Sequence, residues 1–245
     1  MKQRPKNRPS TARPPAQPNQ SLAGGLDCLL HLVSAARPVG SRETARALGM
    51  DPTRTNRLLG TLAHLGLAQR TPQRKYVVGP GVHTLAAMSL RGSQLLNRAL
   101  PVIRRLIRDT RLTVALGVLW RRHVCYLYHG GPDRPVEAAI AGHHLYPAQE
   151  SIIGKILLAH RDKADTQTVF RQTAPTPKPA RDLRAFLKDL EHTRKRGYAL
   201  SSTSIAVAVG DPPVAGLALA GFRRATPKRI AALADLLRRQ AATIA

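Results

Sequence analysis

Acidic side chains are scarce in this chain. Its 245 residues include 14 Asp and Glu against 39 Lys and Arg, a formal charge of +25 at pH 7. No fold requires that imbalance, because net charge bears on partners and solubility. A surplus of this sign points first to nucleic acid, through phosphate neutralisation and counterion release. An anionic membrane surface is the rival, and an arginine-rich proteome would supply part of the charge with no partner at all. Cysteine is almost absent: Cys28 and Cys125 are far apart, each in apolar sequence. They read as two buried free thiols in a reducing compartment, which excludes a disulfide scaffold. No cysteine spacing suggests a metal. His143-His144 with Glu150 matches no zinc or iron pattern and reads as a surface loop. No apolar run is long enough to span a bilayer, and the first twenty residues are basic, Pro-rich and polar rather than a secretory signal. A cytoplasmic protein without a membrane partner is expected. Also missing are a Gly-x-Ser-x-Gly elbow, a P-loop and a Gly-x-Gly-x-x-Gly fingerprint, and nothing pairs a nucleophile with a base. The chain is therefore read as no enzyme, with no cofactor.

What is present is organised around the stretch from Gly40 to Arg70. Ser41 to Leu48 reads as a short helix with Ser41 at its N-cap and Gly49 at its end. Met50 turns the chain, Asp51 is the next N-cap and Pro52 the first helical position. The second helix carries Leu58, Leu59, Leu62 and Leu65 on one face. Its other face shows Thr53, Asn56 and Arg57, with Arg54 at the edge. Two short helices joined by a tight turn, the second polar near its start, form a helix-turn-helix. Thr53, Arg54, Asn56 and Arg57 are the groove candidates, since Arg pairs with guanine and Asn with adenine through two hydrogen bonds each. Arg54, nearer the core-facing edge, is alternatively a phosphate clamp. Ser41 and Arg42 are phosphate candidates.

Residues 1–20 carry Lys2, Arg4, Lys6, Arg8 and Arg13 with no acid. They are predicted to be a disordered basic tail, either an arm on DNA or simply solvated. A first helix over Ser21 to Ala35 is predicted to present Leu22, Leu26, Leu29, Leu30 and Val33, with Ser21 as its cap. Leu67 to Arg70 and Lys75 to Val78 read as two short strands around Thr71-Pro72-Gln73-Arg74. Three helices and a basic hairpin make a winged helix-turn-helix, in which Arg70, Arg74 and Lys75 touch the duplex backbone.

The second half reads as a central antiparallel sheet flanked by helices. Ser93 to Asp109 is amphipathic, with Pro101 inside the pattern as a kink or restart. Val114, Leu116, Val118 and Trp120 alternate as in a half-buried strand, and Ile152 to His160 is a short apolar helix. Helices follow over 162–173 and 182–196, either side of a Pro-rich loop at 174–179. Ile205 to Val209 and Val214 to Phe222 are strands, and Pro227 opens a terminal helix.

The order of these pieces resembles the IclR family of transcriptional regulators over roughly residues 21–243. The resemblance rests on Arg57-Leu58-Leu59-Gly60-Thr61-Leu62, on Gly66-Leu67 entering the wing and on Tyr76-Val77-Val78-Gly79-Pro80 leaving it. Further on it rests on Ser151-Ile152-Ile153-Gly154-Lys155-Ile156-Leu157-Leu158-Ala159 and on Lys195-Arg196-Gly197-Tyr198-Ala199. It implies an α/β (α+β) chain with an N-terminal winged helix-turn-helix (21–80), a linker helix (81–92) and a C-terminal GAF-like effector domain (93–245). It implies operator DNA as partner, a small-molecule effector, and a homodimer, paired in some cases into a tetramer. The effector would meet Gln149, Glu150, Ser151 and Ile152 at a helix start, where free amides suit an anionic or hydroxylated ligand. Ordinary capping explains the same residues equally well. Ser204, Ala218 and Ala220 would supply the far side, with Tyr128, Tyr126, Tyr146 and Trp120 as stacking surfaces or plain core. The chain departs from the family here. An acidic stretch after Ala199 is missing, Ser204 stands where the family has cysteine, and alanines at 218 and 220 replace serines. The departure implies a more apolar or sugar-like effector, or a site that senses none. Outside the family, a sequence-neutral nucleic-acid binder and a small-molecule-binding protein without regulated DNA binding remain as alternatives.

Overall fold

The computed structural model describes residues 17–132, 145–173, 180–223 and 225–245. The basic tail at 1–16, His143-His144 and the Pro-rich loop lie outside them. The chain divides between Ser93 and Gln94 into two compact units.

The first unit has α1 (Gln20–Ala35), α2 (Ser41–Leu48), α3 (Pro52–His64), β1 (Ala68–Arg70), β2 (Tyr76–Val78) and α4 (Pro80–Arg91). The cap of α1 is Asn19, not Ser21: its Oδ1 accepts from the amides of Ser21 at 3.0 Å and Leu22 at 2.9 Å. The buried line of α1 is Gly24, Cys28 and Leu32. The predicted stripe faces largely outward, with Leu22 67 % and Leu26 45 % exposed. The helix is apolar on nearly every side, so periodicity alone does not choose its inward face. Close approach chooses it: a Cβ at Gly24 would come within 3.0 Å of Met50 and 3.1 Å of Leu58. Val39 exchanges backbone bonds of 3.0 and 2.8 Å with Tyr76 and so joins the wing to the segment between α1 and α2. Cys28, Leu32, Val39, Leu59, Leu62, Ala68 and Tyr76 form the core. Truncating Leu59, which is fully buried, would cost about 2–5 kcal/mol.

The second unit is a six-stranded antiparallel sheet in the order β5-β4-β3-β8-β7-β6. Its strands are β3 (Thr113–Trp120), β4 (His123–Gly130), β5 (Tyr146–Pro147), β6 (Ala199–Leu200), β7 (Ser204–Val209) and β8 (Ala215–Ala220). Its helices are α5 (Gln94–Thr110), α6 (Ile152–Ala159), α7 (Lys163–Thr173), α8 (Ala180–Arg196) and α9 (Pro227–Ile244). The α5 helix runs through Pro101 without a restart.

Strand periodicity sorts the side chains into two layers. Val114, Leu116, Ile205, Val207, Leu217 and Leu219 face α5 and α9. The other face carries Ala115, Ala206 and Ala218 against Ile153, Ile156 and Leu157 of α6. Small residues there admit α6 closely. A Cβ at Gly216 would lie 2.7 Å from the Ile153 side chain, and one at Gly154 would lie 2.0 Å from the Ala148 carbonyl oxygen. Lys155 ties α6 to α8 through a 2.6 Å ion pair with Asp189.

Candidate nucleic-acid interface and effector site

Asp51 begins α3 as predicted, its Oδ1 accepting from the Arg54 amide at 2.7 Å with Pro52 at the first turn. The back of the helix is Thr55, Leu59 and Leu62, all buried. Thr55 is polar, but its hydroxyl donates to the Asp51 carbonyl at 2.8 Å and so needs no water. The helix ends at His64, so Leu65 falls beyond the stripe and is 61 % exposed. The front is Thr53, Asn56 and Arg57, all exposed, continued one and two turns on by Gly60, Thr61 and His64. These last three escaped the sequence analysis, although their spacing from Asn56 and Arg57 places them on the same face.

Arg54 is exposed on the shoulder of α3, and its guanidinium donates to the Gln20 carbonyl at 2.5 Å. That bond pins α3 to the start of α1 and turns the side chain away from the front.

The N-cap of α2 is Gly40, with Ser41 as the first helical residue. Glycine has no capping side chain, so the first amides of α2 remain available to an anion. Arg42 is exposed beside them and Ser41 is half-buried. Glu43 sits at this end, bonded to Arg37 at 2.5 Å and to the Gly40 amide at 3.4 Å. These two partners, with Lys75 adding its field, hold its carboxyl below the usual carboxylate range.

In the wing, Arg70 pairs with Tyr76 across the hairpin. The loop closes through bonds from Thr71 N to Lys75 O at 2.8 Å and from Arg74 N to Thr71 O at 3.0 Å. Arg70, Arg74 and Lys75 are all exposed. Residues 17–93 carry nine Lys and Arg against Asp27, Glu43 and Asp51.

The second unit brings only part of the predicted effector set together. Ser151 caps α6, accepting from the Gly154 amide at 3.2 Å, and is bonded to the Tyr126 hydroxyl at 2.9 Å. Burial pushes the Tyr126 hydroxyl pKa up, with the Ser151 bond opposing. Tyr146 meets the Tyr126 ring edge-on at 5.8 Å. Both polar atoms of the Gln149 side-chain amide are buried and have no hydrogen-bond partner among the described residues. Glu150 is exposed and Ile152 half-buried.

Tyr128, predicted to belong here, packs with the α5/α9 core on the opposite face. A bulge is the reason. Gly117 pairs with Tyr126 but Leu116 pairs with Tyr128, so the extra residue Leu127 reverses the alternation. Tyr126, expected from the sequence only as a stacking surface or core, stands beside Ser151 instead.

Ser204 and Ala220 pair with each other at the far end of β7 and β8. Gly117, the partner of Tyr126, pairs with Gly216, whereas Ala220 pairs with Thr113. Ser204 therefore lies four residues along and three strands across from Tyr126, on the order of 20 Å by ordinary sheet spacings. Its hydroxyl is held by Ser201 Oγ at 2.6 Å. Ala218, 1 % exposed, is packed under α6. Ser204 and Ala220 are thus apart from Ser151, whereas Ala218 lies in the layer that Tyr126 and Ile152 also pack against. Among the described residues, no group of His, Cys, Asp and Glu is placed to hold a metal ion, and no helix is long and apolar enough to cross a membrane.

A winged helix-turn-helix with an exposed polar face on its second helix, followed by a separate α/β unit, has the architecture of a DNA-binding regulator. Residues 21–72 match the family model for the IclR helix-turn-helix domain, and residues 87–244 match that for the bacterial transcriptional regulator IclR C-terminal domain. The HTH-type transcriptional regulator BhcR of Paracoccus denitrificans (strain Pd 1222) is 30 % identical over 233 residues, covering 88 % of this chain and 82 % of that protein. The crystal structure of an IclR family transcriptional regulator from Brucella abortus superposes with a TM-score of 0.78 at 21 % identity, over 96 % of this chain and 94 % of that one. An IclR homologue of Microbacterium hydrocarbonoxydans, crystallised in complex with 4-hydroxybenzoate, superposes with a TM-score of 0.63 at 22 % identity, over 92 % and 97 %. This chain belongs to the IclR family. It is a DNA-binding transcriptional regulator with a C-terminal effector-binding domain, and not an enzyme.

Proposed function

We propose that α3 enters the major groove of an operator with Thr53, Asn56 and Arg57 at base edges. Ser41, Arg42, Arg70, Arg74 and Lys75 position the unit on phosphates. The observation that carries this reading is the division of α3 into a back of Thr55, Leu59 and Leu62, all buried, and a front with every named polar residue exposed. Arg54 acts as a brace to α1. Selection of duplexes from a random pool by the full-length protein tests the reading. Recovery of a shared sequence, bound about a thousandfold more tightly than scrambled duplex, is the expected result. Equal affinity for both overturns sequence-specific recognition in favour of neutral binding.

The protein acts as a homodimer reading two half-sites in the cytoplasm. One winged unit is a small footprint, and the first unit carries apolar surface that its own core does not use. No residue of α4 is buried, yet Leu85, Met88 and Leu90 lie on it, and Leu22, Leu26 and Val33 line the outside of α1. The α4 helix serves as the linker between the two domains.

The effector binds at the start of α6, between the Gln149 amide and the Tyr126–Ser151 pair. These groups are an amide and two hydroxyls, and the neighbouring Lys155 is committed to Asp189. A neutral, hydroxylated ligand suits them better than a carboxylate such as the 4-hydroxybenzoate bound by the Microbacterium homologue. Calorimetric titration with neutral phenols and sugars against benzoates distinguishes the two classes, and tighter benzoate binding would reverse the assignment.

A further inference from the structure

We propose that the outer surface of α5 and α9 is a second contact surface for duplex DNA, binding phosphates without regard to sequence. The proposal rests on the DNA-binding function and adds a face in the other unit. Of the chain's 39 Lys and Arg and 14 Asp and Glu, residues 94–245 hold 25 and 11, a larger surplus than that of the winged unit.

That surplus is concentrated in one place. Both helices bury their inner sides in the same core. Arg98, in the first turns of α5, donates to the carbonyl of Ala245 at the end of α9 at 2.7 Å, so the two run antiparallel. Thr113 pairs with Ala220, which brings the residues just after α5 beside those just before α9. Arg104, Arg105, Arg111, Arg223, Lys228 and Arg229 are all exposed on this layer and its end. Among the described residues none of the six has an acidic partner. The two carboxylates of the layer, Asp109 and Asp235, are already taken by Arg108 and Arg238.

Lys228 and Arg229 sit in the first turn of an 18-residue helix that has no acid there. Cations at a helix N-terminus add to the positive end of its dipole and cost stability, so an anion is favoured at that corner. The chemistry of the layer selects the partner. None of the chain's large exposed apolar side chains lies on α5 or α9, whereas a protein partner needs an apolar centre to anchor on. A second copy of the same face would set like charges against each other. Exposed guanidinium and ammonium groups without apolar anchors match a phosphate backbone.

The test uses full-length protein, wild type and an Arg104→Gln/Arg105→Gln/Lys228→Gln/Arg229→Gln variant. The probes are two duplexes carrying the same selected site, a short one that ends at the site and a long one with flanks of several helical turns. All four substitutions are on exposed, unpaired side chains, so an unchanged circular-dichroism spectrum and melting midpoint are expected. On the long duplex the variant binds at least tenfold more weakly at moderate salt. Its slope of log affinity against log salt falls by about 2–4, at roughly 0.9 per lost phosphate contact. On the short duplex it matches wild type. A wild-type slope for the variant on the long duplex overturns the proposal. So does a loss seen with polyglutamate but not with DNA, which would assign the face to an acidic protein. Wild type binding neither duplex would instead bring down the DNA-binding reading itself.

Discussion

Arg57 and Arg54 stand one turn apart on α3, both exposed, and the structure assigns them opposite consequences on removal. Among the described residues the Arg57 side chain makes no hydrogen bond or ion pair; its backbone carbonyl accepts from the Thr61 hydroxyl at 3.0 Å. Arg57→Ala therefore removes no intramolecular hydrogen bond or ion pair among the described residues, and alanine favours the helix slightly more. The melting midpoint should move within the range of about 0.5 kcal/mol seen for exposed substitutions. A bidentate contact to a base is worth about 1–3 kcal/mol, so operator affinity should fall by about tenfold to a hundredfold. Arg54→Ala removes the 2.5 Å bond to the Gln20 carbonyl. An exposed charged bond of this kind contributes on the order of 1 kcal/mol, and its loss frees the start of α1 from α3. Arg54→Ala should lower stability measurably and weaken short and scrambled duplexes alike, without changing which base is preferred. Gel-shift titration paired with urea denaturation separates the two. Unchanged operator affinity for Arg57→Ala, or a change of base preference for Arg54→Ala with full stability, would refute the division of labour drawn here.

Other substitutions probe the remaining parts. Gly154→Ala places a methyl where the Ala148 carbonyl oxygen is 2.0 Å away; backbone on both sides must shift by about 1 Å or more, at about 3 kcal/mol or above. Denaturation of the variant should show that loss, and a wild-type midpoint would mean that α6 does not press on the Ala148 carbonyl as described. Tyr126→Phe removes the bond to Ser151 and should weaken effector binding by about fivefold to tenfold, for a bond worth about 1 kcal/mol. Tyr128→Phe, on the opposite face, should leave calorimetric titrations unchanged. Leu26→Glu replaces an already exposed leucine and should keep the protomer stable while raising the dimer dissociation constant about tenfold, given about 1.5–3 kcal/mol per buried leucine. Sedimentation velocity reads this directly, and an unchanged dimer would remove the outer stripe of α1 from the interface.

Much of the first unit was legible because local chemistry decides it. Asp51-Pro52 specifies a helix start by side-chain acceptance and fixed φ, Gly49 adopts the left-handed conformation that ends α2 (φ 61°), and the leucines of α3 repeat at a helical period. Legibility failed wherever two local solutions were nearly equal. Asn19 and Ser21 are both good caps, and the chain uses the one that satisfies two amides. The α1 helix offers apolar residues on several sides, and tertiary approach at Gly24 decides between them. Leu65 continues the period of α3 in sequence, but the helix has already ended at His64.

The proposed effector site was the least legible for a different reason: its geometry depends on one register shift. Alternation along β4 puts Tyr126 and Tyr128 on the same side of any regular strand, and the sequence has no residue that announces the bulge at Leu127. The cause lies in the neighbouring strand. Gly117 offers no side chain opposite Tyr126, and a Cβ there would meet Val124 at 2.9 Å and Ile153 at 3.4 Å. That opening lets Ile153 of α6 settle onto the sheet beside Gly117 and Gly216, which in turn holds Ser151 within reach of the Tyr126 hydroxyl. Beyond the bulge the parity is reversed, and Tyr128 joins the aliphatic core under α5. The same few small residues thus set both how deeply α6 seats and which tyrosine it meets. Changes of ligand class within this fold should accordingly begin at Gly117, Gly216 and the bulge, and only afterwards at the polar groups themselves.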